Sequence, residues 1–257
     1  MTGSLLRLEC SATGWSPWPP ATNPVPRRSQ HNAVSKKWNQ YALSAGKDVL
    51  SEKPFASNAT EASLVRDIAR TAPGQIVEGF HYLHHPVNQR LRELVTSGEL
   101  GDVRQVDIQL TMSAPPTSDP RWSLELAGGA TMDLGCYVLH AARQLGRWLD
   151  QAPSVVSAEA TLKEPEVDSA MSVEVAYAGG IRGRLRWDMN AAGREMVWTV
   201  VGTAGTAAVS AFAVPQMDNR ILITRNGSTE AHFAGDQRRT PTSWPLSRTR
   251  CRLVQNS

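Results

Sequence analysis

The chain has 257 residues, 41% of them hydrophobic and 20% charged, with a net charge of +3. That is enough apolar material for one large domain or two small ones. Nucleic-acid and membrane roles are not expected: basic residues form only a short Arg-rich tail, no apolar run reaches membrane-spanning length, and the start lacks the regions of a signal peptide. Cys10, Cys136 and Cys251 show neither metal-ligand spacing nor a disulfide rhythm, which suits a reducing cytoplasm.

Composition divides the chain. Residues 1–31 are rich in Trp and Pro and show almost no helical or strand period. Residues 32–235 read as ordinary globular protein, and residues 236–257 turn irregular again. The middle opens on a helix over 32–45, with Ala33, Val34, Trp38, Tyr41, Ala42 and Ala45 as its apolar stripe and Gly46 as its stop. A short strand over 48–50 follows, then a helix through 62–69 capped by Asn58 or Thr60, then a strand over 75–80. This alternation predicts a parallel sheet.

A helix over 87–97 comes next, started by Pro86 and stopped by Gly98. Residues 103–112 place Val103, Val106, Ile108, Leu110 and Met112 on one face of a half-solvated strand. Gly128-Gly129 leads into a helix over about 130–148. After it come strands only, at 155–162, 172–178, 181–188, 197–202, 206–210 and 221–225, with Gly179-Gly180 as a two-residue hairpin turn. The expected fold is therefore α/β plus α+β. A partial Rossmann-like nucleotide-binding part (32–80) precedes an open, mostly antiparallel sheet for substrate and dimerisation (81–235).

Four blocks carry a family resemblance. Residues 45–54, AGKDVLSEKP, resemble the AGKHVLxEKP signature of the Gfo/Idh/MocA oxidoreductases. Residues 78–86, EGFHYLHHP, are similar to their E-x-F-x-Y-R-x-x-P segment, with Leu83 where relatives often carry Arg. Residues 97–101, SGELG, and 128–137, GGATMDLGCY, match two more. The subgroup most resembled is that of the dihydrodiol and xylose dehydrogenases. The resemblance implies hydride transfer between NAD or NADP and a sugar, polyol or diol carbon, with a homodimer formed through the open sheet.

The residues fit that chemistry. Lys53 follows a parallel strand, at the carboxyl edge where α/β sheets bind ligands, and Pro54 biases its backbone away from the helical region. Glu52, Lys53 and Pro54 are the expected cofactor contacts. Asp133 and Tyr137 are four apart, on one helical face, and a phenol beside a lysine is expected to have a lowered pKa. Lys53 and Tyr137 would handle the proton and Asp133 would orient the substrate. Arg121 in a D-x-R element and His140 one turn past Tyr137 are the expected substrate contacts. The His81, His84 and His85 cluster has no carboxylate at ligand spacing, so no metal is expected.

A G-x-G-x-x-G/A fingerprint is absent from the sequence, so the resemblance leaves out the pyrophosphate cradle. Residues 12–22 and 241–251 can each be read, in a shifted frame, as the family's second Rossmann strand and a late family helix. The expectation is a frameshifted gene, N-terminally incomplete, in which cofactor binding is impaired. An inactive remnant of such an enzyme is the alternative function.

Overall fold

The computed structural model describes residues 6–12, 32–234 and 249–255, with side chains from residue 37 to residue 234. Two compact units result, one of residues 1–29 with 238–257 and the other Gln30–Gln237. In the first, β1 (Leu6–Ala12) pairs with the last described strand of the chain. The remaining elements up to that strand belong to the second unit.

Helix α1 (Asn32–Ser44) ends at Gly46, whose φ of 69° supplies the left-handed residue that closes a helix. Its buried face is not the expected one. Asn39 and Leu43, four apart, are buried, while Trp38 and Tyr41 are exposed and touch each other edge to face. The helix packs on β2 (Val49–Ser51) and α2 (Ala59–Thr71), and that contact selects the Asn39/Leu43 side. Asn58 caps α2, accepting from Glu61 N–H at 2.9 Å. Strand β3 (Ile76–Glu78) pairs parallel with β2, Val49 opposite Ile76. The expected parallel pair is present, with both strands' carboxyl ends at one edge.

Helix α3 (Pro86–Thr96) begins at a proline, with His85 Nδ1 accepting from Val87 N–H. Strand β4 (Val103–Thr111) buries Val103, Val106, Ile108 and Leu110. The step from Val103 to Val106 breaks strict alternation, and an irregularity between Val103 and Gln105 takes it up. The helix expected over 130–148 is two pieces. A π-turn at Thr131–Gly135 runs into α4 (Cys136–Trp148).

Strands β5 (Ser154–Glu164), β6 (Val167–Ala176), β7 (Arg182–Asp188), β8 (Glu195–Gly202), β9 (Thr206–Val209), β10 (Arg220–Arg225) and β11 (Ser228–Phe233) complete an eight-stranded sheet, ordered β11-β10-β9-β8-β4-β7-β6-β5. Only the β4–β7 pair in it is parallel. Strand β11 (STEAHF) escaped the sequence reading because Ala231 and Phe233 are its only apolar residues, too few to mark an alternation. The β6–β7 hairpin closes over three residues, not two: Tyr177 N–H donates to Ile181, leaving Ala178, Gly179 and Gly180 between them.

Helix α4 packs on β4 and β7, and α3 on β9 and β10, so the helices cover one sheet face. The core lies there, around Trp187, Trp198, Ile108, Leu110 and Leu185. The other face is polar, with Asp107 bound by Arg184 at 2.7 Å and Arg186 by Asp188 at 3.0 Å.

The ends of the chain correct the expectation of irregular segments. Strand β12 (Thr249–Gln255) pairs antiparallel with β1, from Leu6 opposite Gln255 to Ala12 opposite Thr249. Backbone pairing of this kind leaves no trace in composition. Of the shifted-frame readings at 12–22 and 241–251, residues 13–22 and 241–248 lie outside the described residues.

Candidate active site

The site forms where the carboxyl ends of β2 and β3 meet the π-turn before α4. Lys53, two residues past β2, reaches across to Asp133, its ammonium donating to the Asp133 carbonyl at 2.8 Å and to Oδ1 at 2.9 Å. The Lys53–Pro54 peptide is cis. Lys53 Nζ also lies 4.9 Å from the centre of the Tyr137 ring, a cation over an aromatic face. Arg121 closes the other side of Asp133, Nη1 at 3.6 Å from Oδ2, and is itself forked onto Asp119. The Arg121 guanidinium holds Asp119 down to about 2.

Burial pulls the Lys53 pKa down, but the acidic groups Cys136, Asp133 and Tyr137 outweigh it, and the net shift is upward. At neutral pH the thiol and phenol are uncharged, so Asp133 supplies the compensating anion. Burial pushes the Cys136 thiol up to about 12. Tyr137 corrects the expectation of an acidified phenol: burial raises its pKa and outweighs the lowering by Lys53.

The four-residue spacing of Asp133 and Tyr137 does bring both to Lys53, but across a π-turn instead of along one α-helical face. That turn is anchored from β6 and β7. Asp168 Oδ2 accepts from Thr131 N–H at 2.9 Å and from its hydroxyl at 2.8 Å, and Trp187 Nε1 donates to the same hydroxyl at 2.9 Å. The glycines before it serve protein contacts. A Cβ on Gly128 would stand 2.4 Å from the Arg121 carbonyl oxygen, and one on Gly129 2.4 Å from Asp168 Oδ1. Gly129 also has a φ of 107°. Gly129→Ala should therefore destabilise the chain by about 1–3 kcal/mol and loosen Asp133. Urea unfolding checks the first effect, and an unchanged midpoint would refute it.

The other expected residues divide. Glu52 is exposed, its charge acting on Tyr137 and its carbonyl accepting from Ser51 Oγ at 3.1 Å. Pro54 is buried in the turn. His140 lies behind Tyr137, stacked on Phe80 at 3.9 Å between ring centres. Both its nitrogens have partners, Nδ1 with Tyr82 Oη at 2.8 Å and Nε2 with Gln144 at 3.0 Å. Burial, then Arg147 and Arg143, push its pKa down to about 3.

This has a stability consequence. The unfolded chain protonates that imidazole near the ordinary pKa of about 6.5, the folded chain only near 3. The stabilisation from neutral His140 is full above about pH 6.5 and is lost as the pH falls from there. In His140→Gln the urea midpoint should fall less steeply between those pH values than in the wild type. Parallel slopes would contradict a neutral, buried His140.

Sequence reasoning passed over Glu78, Phe80, Asn39, Thr131, Asp168 and Trp187. Glu78 and Phe80 stood inside a quoted motif, whereas Asp168 carried no sequence signal. Glu78 Oε1 accepts from Phe55 N–H at 3.1 Å, and burial raises its pKa.

Residues 88–208 match the model of the GFO/IDH/MocA C-terminal domain. That stretch of the chain is thus a Gfo/Idh/MocA C-terminal domain. It is 34% identical over 155 residues to D-xylose 1-dehydrogenase (NADP(+)) 2 of Haloferax volcanii, covering 60% of this chain and 46% of that one. It is 30% identical over 171–175 residues to the trans-1,2-dihydrobenzene-1,2-diol dehydrogenases of Xenopus laevis and mouse; the mouse match covers 67% of this chain and 51% of the relative. The chain thus spans about half the length of the curated relatives it matches. Among solved structures it is similar to a variant of KijD10, a 3-ketoreductase from Actinomadura kijaniata, in complex with TDP-benzene and NADP. The TM-score is 0.72 at 24% identity, over 81% of this chain and 65% of that one. That likeness supports the fold: a Rossmann-like part with a large, mostly antiparallel sheet.

Proposed function

We propose that this chain carries the catalytic part of an NAD(P)-dependent oxidoreductase acting on a sugar, polyol or diol. The observation that carries the reading is the state of the Lys53 ammonium. Two of its N–H groups bind Asp133, and the third has no oxygen or nitrogen acceptor among the described residues. It sits at the carboxyl edge of a parallel pair, where α/β sheets bind ligands. NADP is the first cofactor to test, since it is named for the xylose dehydrogenase and bound to the ketoreductase.

The donor set fits the nicotinamide end of such a cofactor. Glu52, Lys53 and Pro54 border the place for it, and Lys53 offers a charged donor in a half-buried setting. The nicotinamide, when bound, exchanges a hydride with the substrate carbon. Lys53 and Tyr137 supply the matching proton, so that a carbonyl gains a hydride at carbon and a proton at oxygen. Both groups keep their protons across the neutral range because both pKa values are raised. A positioned ammonium also stabilises the negative charge that grows on the substrate oxygen. Asp133 fixes Lys53 and leaves Oδ2, with Arg121, facing the substrate side.

We assign residues 32–80 to the nucleotide-binding part and 81–235 to the substrate and dimerisation part. A homodimer would form through the open sheet face, by polar pairs around Asp107 and Arg184, because the apolar side of β4 and β7 is covered by α4. No helix among the described residues is long and apolar enough to cross a membrane, and we place the protein in the cytoplasm. The comparisons lend no support to the inactive-remnant alternative. Titration of NADPH and NADH fluorescence, then turnover against a panel of sugars and diols, tests the proposal. No binding of either nucleotide at millimolar concentration would sink it.

A further inference from the structure

The turn that presents Lys53 is fixed from two sides by side chains that the proposed chemistry does not use. From α1, Asn39 Nδ2 donates to Ser51 Oγ at 2.9 Å and to the Phe55 carbonyl at 3.2 Å. From the end of β3, Glu78 Oε1 accepts from Phe55 N–H at 3.1 Å. Phe55 therefore has its N–H and its C=O tied by two different elements. Ser51, at the other end of the turn, donates its hydroxyl to the Glu52 carbonyl at 3.1 Å. Its own carbonyl accepts from Gly79 N–H at 2.8 Å. Lys53 lies midway between these two anchored residues.

Asn39 is only 4% exposed. An amide in that position on a helix is costly unless its hydrogen bonds are made, and Leu43 shows that the same face takes an apolar residue one turn later. The polar choice is explained by what the amide holds, which is the lysine turn. Glu78 is likewise half-buried and has Lys53 and Arg143 as its charged neighbours.

We propose that Asn39 and Glu78 are positioning residues, a clamp across residues 51–55 that sets where the Lys53 ammonium meets Asp133. The proposal rests on the reading of Lys53 as the proton-handling group, and its test does not need turnover. The chain has only five lysines. Reductive methylation with ¹³C-formaldehyde, followed by NMR against pH, therefore reads Lys53 directly, with Lys53→Arg assigning its signal. In the wild type Lys53 should titrate above the ordinary lysine value and methylate slowly.

Asn39→Leu and Glu78→Leu remove one side of the clamp each while keeping bulk. In each, the Lys53 titration should move back towards the ordinary lysine value. Its methylation rate should rise about fivefold, the factor that one lost hydrogen bond gives. Glu78→Gln keeps an oxygen for Phe55 N–H and should rescue both readouts. Where turnover is measured, kcat should fall more than KM changes in the Leu variants. Should a Leu variant fail to fold, Asn39→Asp removes the donor without changing size, and it should show the same shift. Folded variants in which the Lys53 signal and methylation rate stay at wild-type values would overturn the clamp. Full turnover in Lys53→Met would instead sink the reading of Lys53, leaving the methylation result to stand by itself.

Discussion

Lys53→Met is expected to cut turnover by roughly 10²–10⁴-fold, the usual cost of losing a positioned proton donor. Methionine keeps the length and apolar body of the stem and removes the ammonium. Asp133 then loses the hydrogen bonds of 2.8 Å and 2.9 Å from that ammonium, and its carboxylate keeps Arg121 at 3.6 Å. Nicotinamide binding, read by fluorescence, should fall much less than kcat. Lys53→Arg should not restore the rate, because a planar fork cannot reproduce a point charge that meets a carbonyl, a carboxylate and a ring face together. The pH profile has a definite sign. Lys53 and Tyr137 both have raised pKa values, so carbonyl reduction should stay level through neutral pH and decline only as alkaline pH removes their protons. A reduction rate that collapsed between pH 6 and 8 would assign the proton to some other group.

Trp187→Ala is expected to have the largest effect on stability, a loss of about 3–5 kcal/mol. That is a large fraction of the roughly 5–15 kcal/mol by which a domain is stable. Trp187 is 1% exposed and stands in the middle of the sheet, on the strand between β4 and β6. Its ring fills the space against Gly135, where an added Cβ would come 2.7 Å from Cε2. Its Nε1 donates to Thr131 Oγ1, the hydroxyl that Asp168 also binds. The substitution opens a cavity under the π-turn and removes one of its anchors, so Asp133 should lose its place with the core. Urea unfolding and turnover should therefore fall together. Wild-type turnover in a destabilised Trp187→Ala protein would show that the turn does not depend on this support.

Much of this architecture was legible because its elements have apolar periods and marked ends. Gly46, Asn58 and Pro86 punctuate helices where the sequence places them, and Val106, Ile108 and Leu110 announce the buried face of β4. What escaped had no such pattern. Strand β11 has Ala231 and Phe233 as its only apolar residues, and β1 and β12 are joined by backbone pairing alone among the features described. Trp38 and Tyr41 misled because aromatic residues at helical spacing read as core, whereas packing on α2 buries Asn39 and Leu43.

The site was legible in its parts and not in its electrostatics. Lys53, Asp133 and Tyr137 lie together as their motifs suggested, yet the sign of the Tyr137 shift is set by burial, which outweighs the ammonium beside it. Spacing cannot report that. Nor can it report Asp168, which is 35 residues from Asp133 and reaches it through Thr131. His140 looked like a substrate contact by position; both its nitrogens are engaged inside the protein.

The central claim is that Lys53, set against Asp133 and Tyr137, is the proton-handling group of a nicotinamide-dependent oxidoreductase. The most direct measurement follows NADPH and NADH oxidation by absorbance with sugar and diol-derived carbonyl substrates, for the wild type and Lys53→Met side by side. The account predicts substrate-dependent oxidation in the wild type and its loss in the variant, with nucleotide binding retained. Equal rates in the two proteins would contradict it.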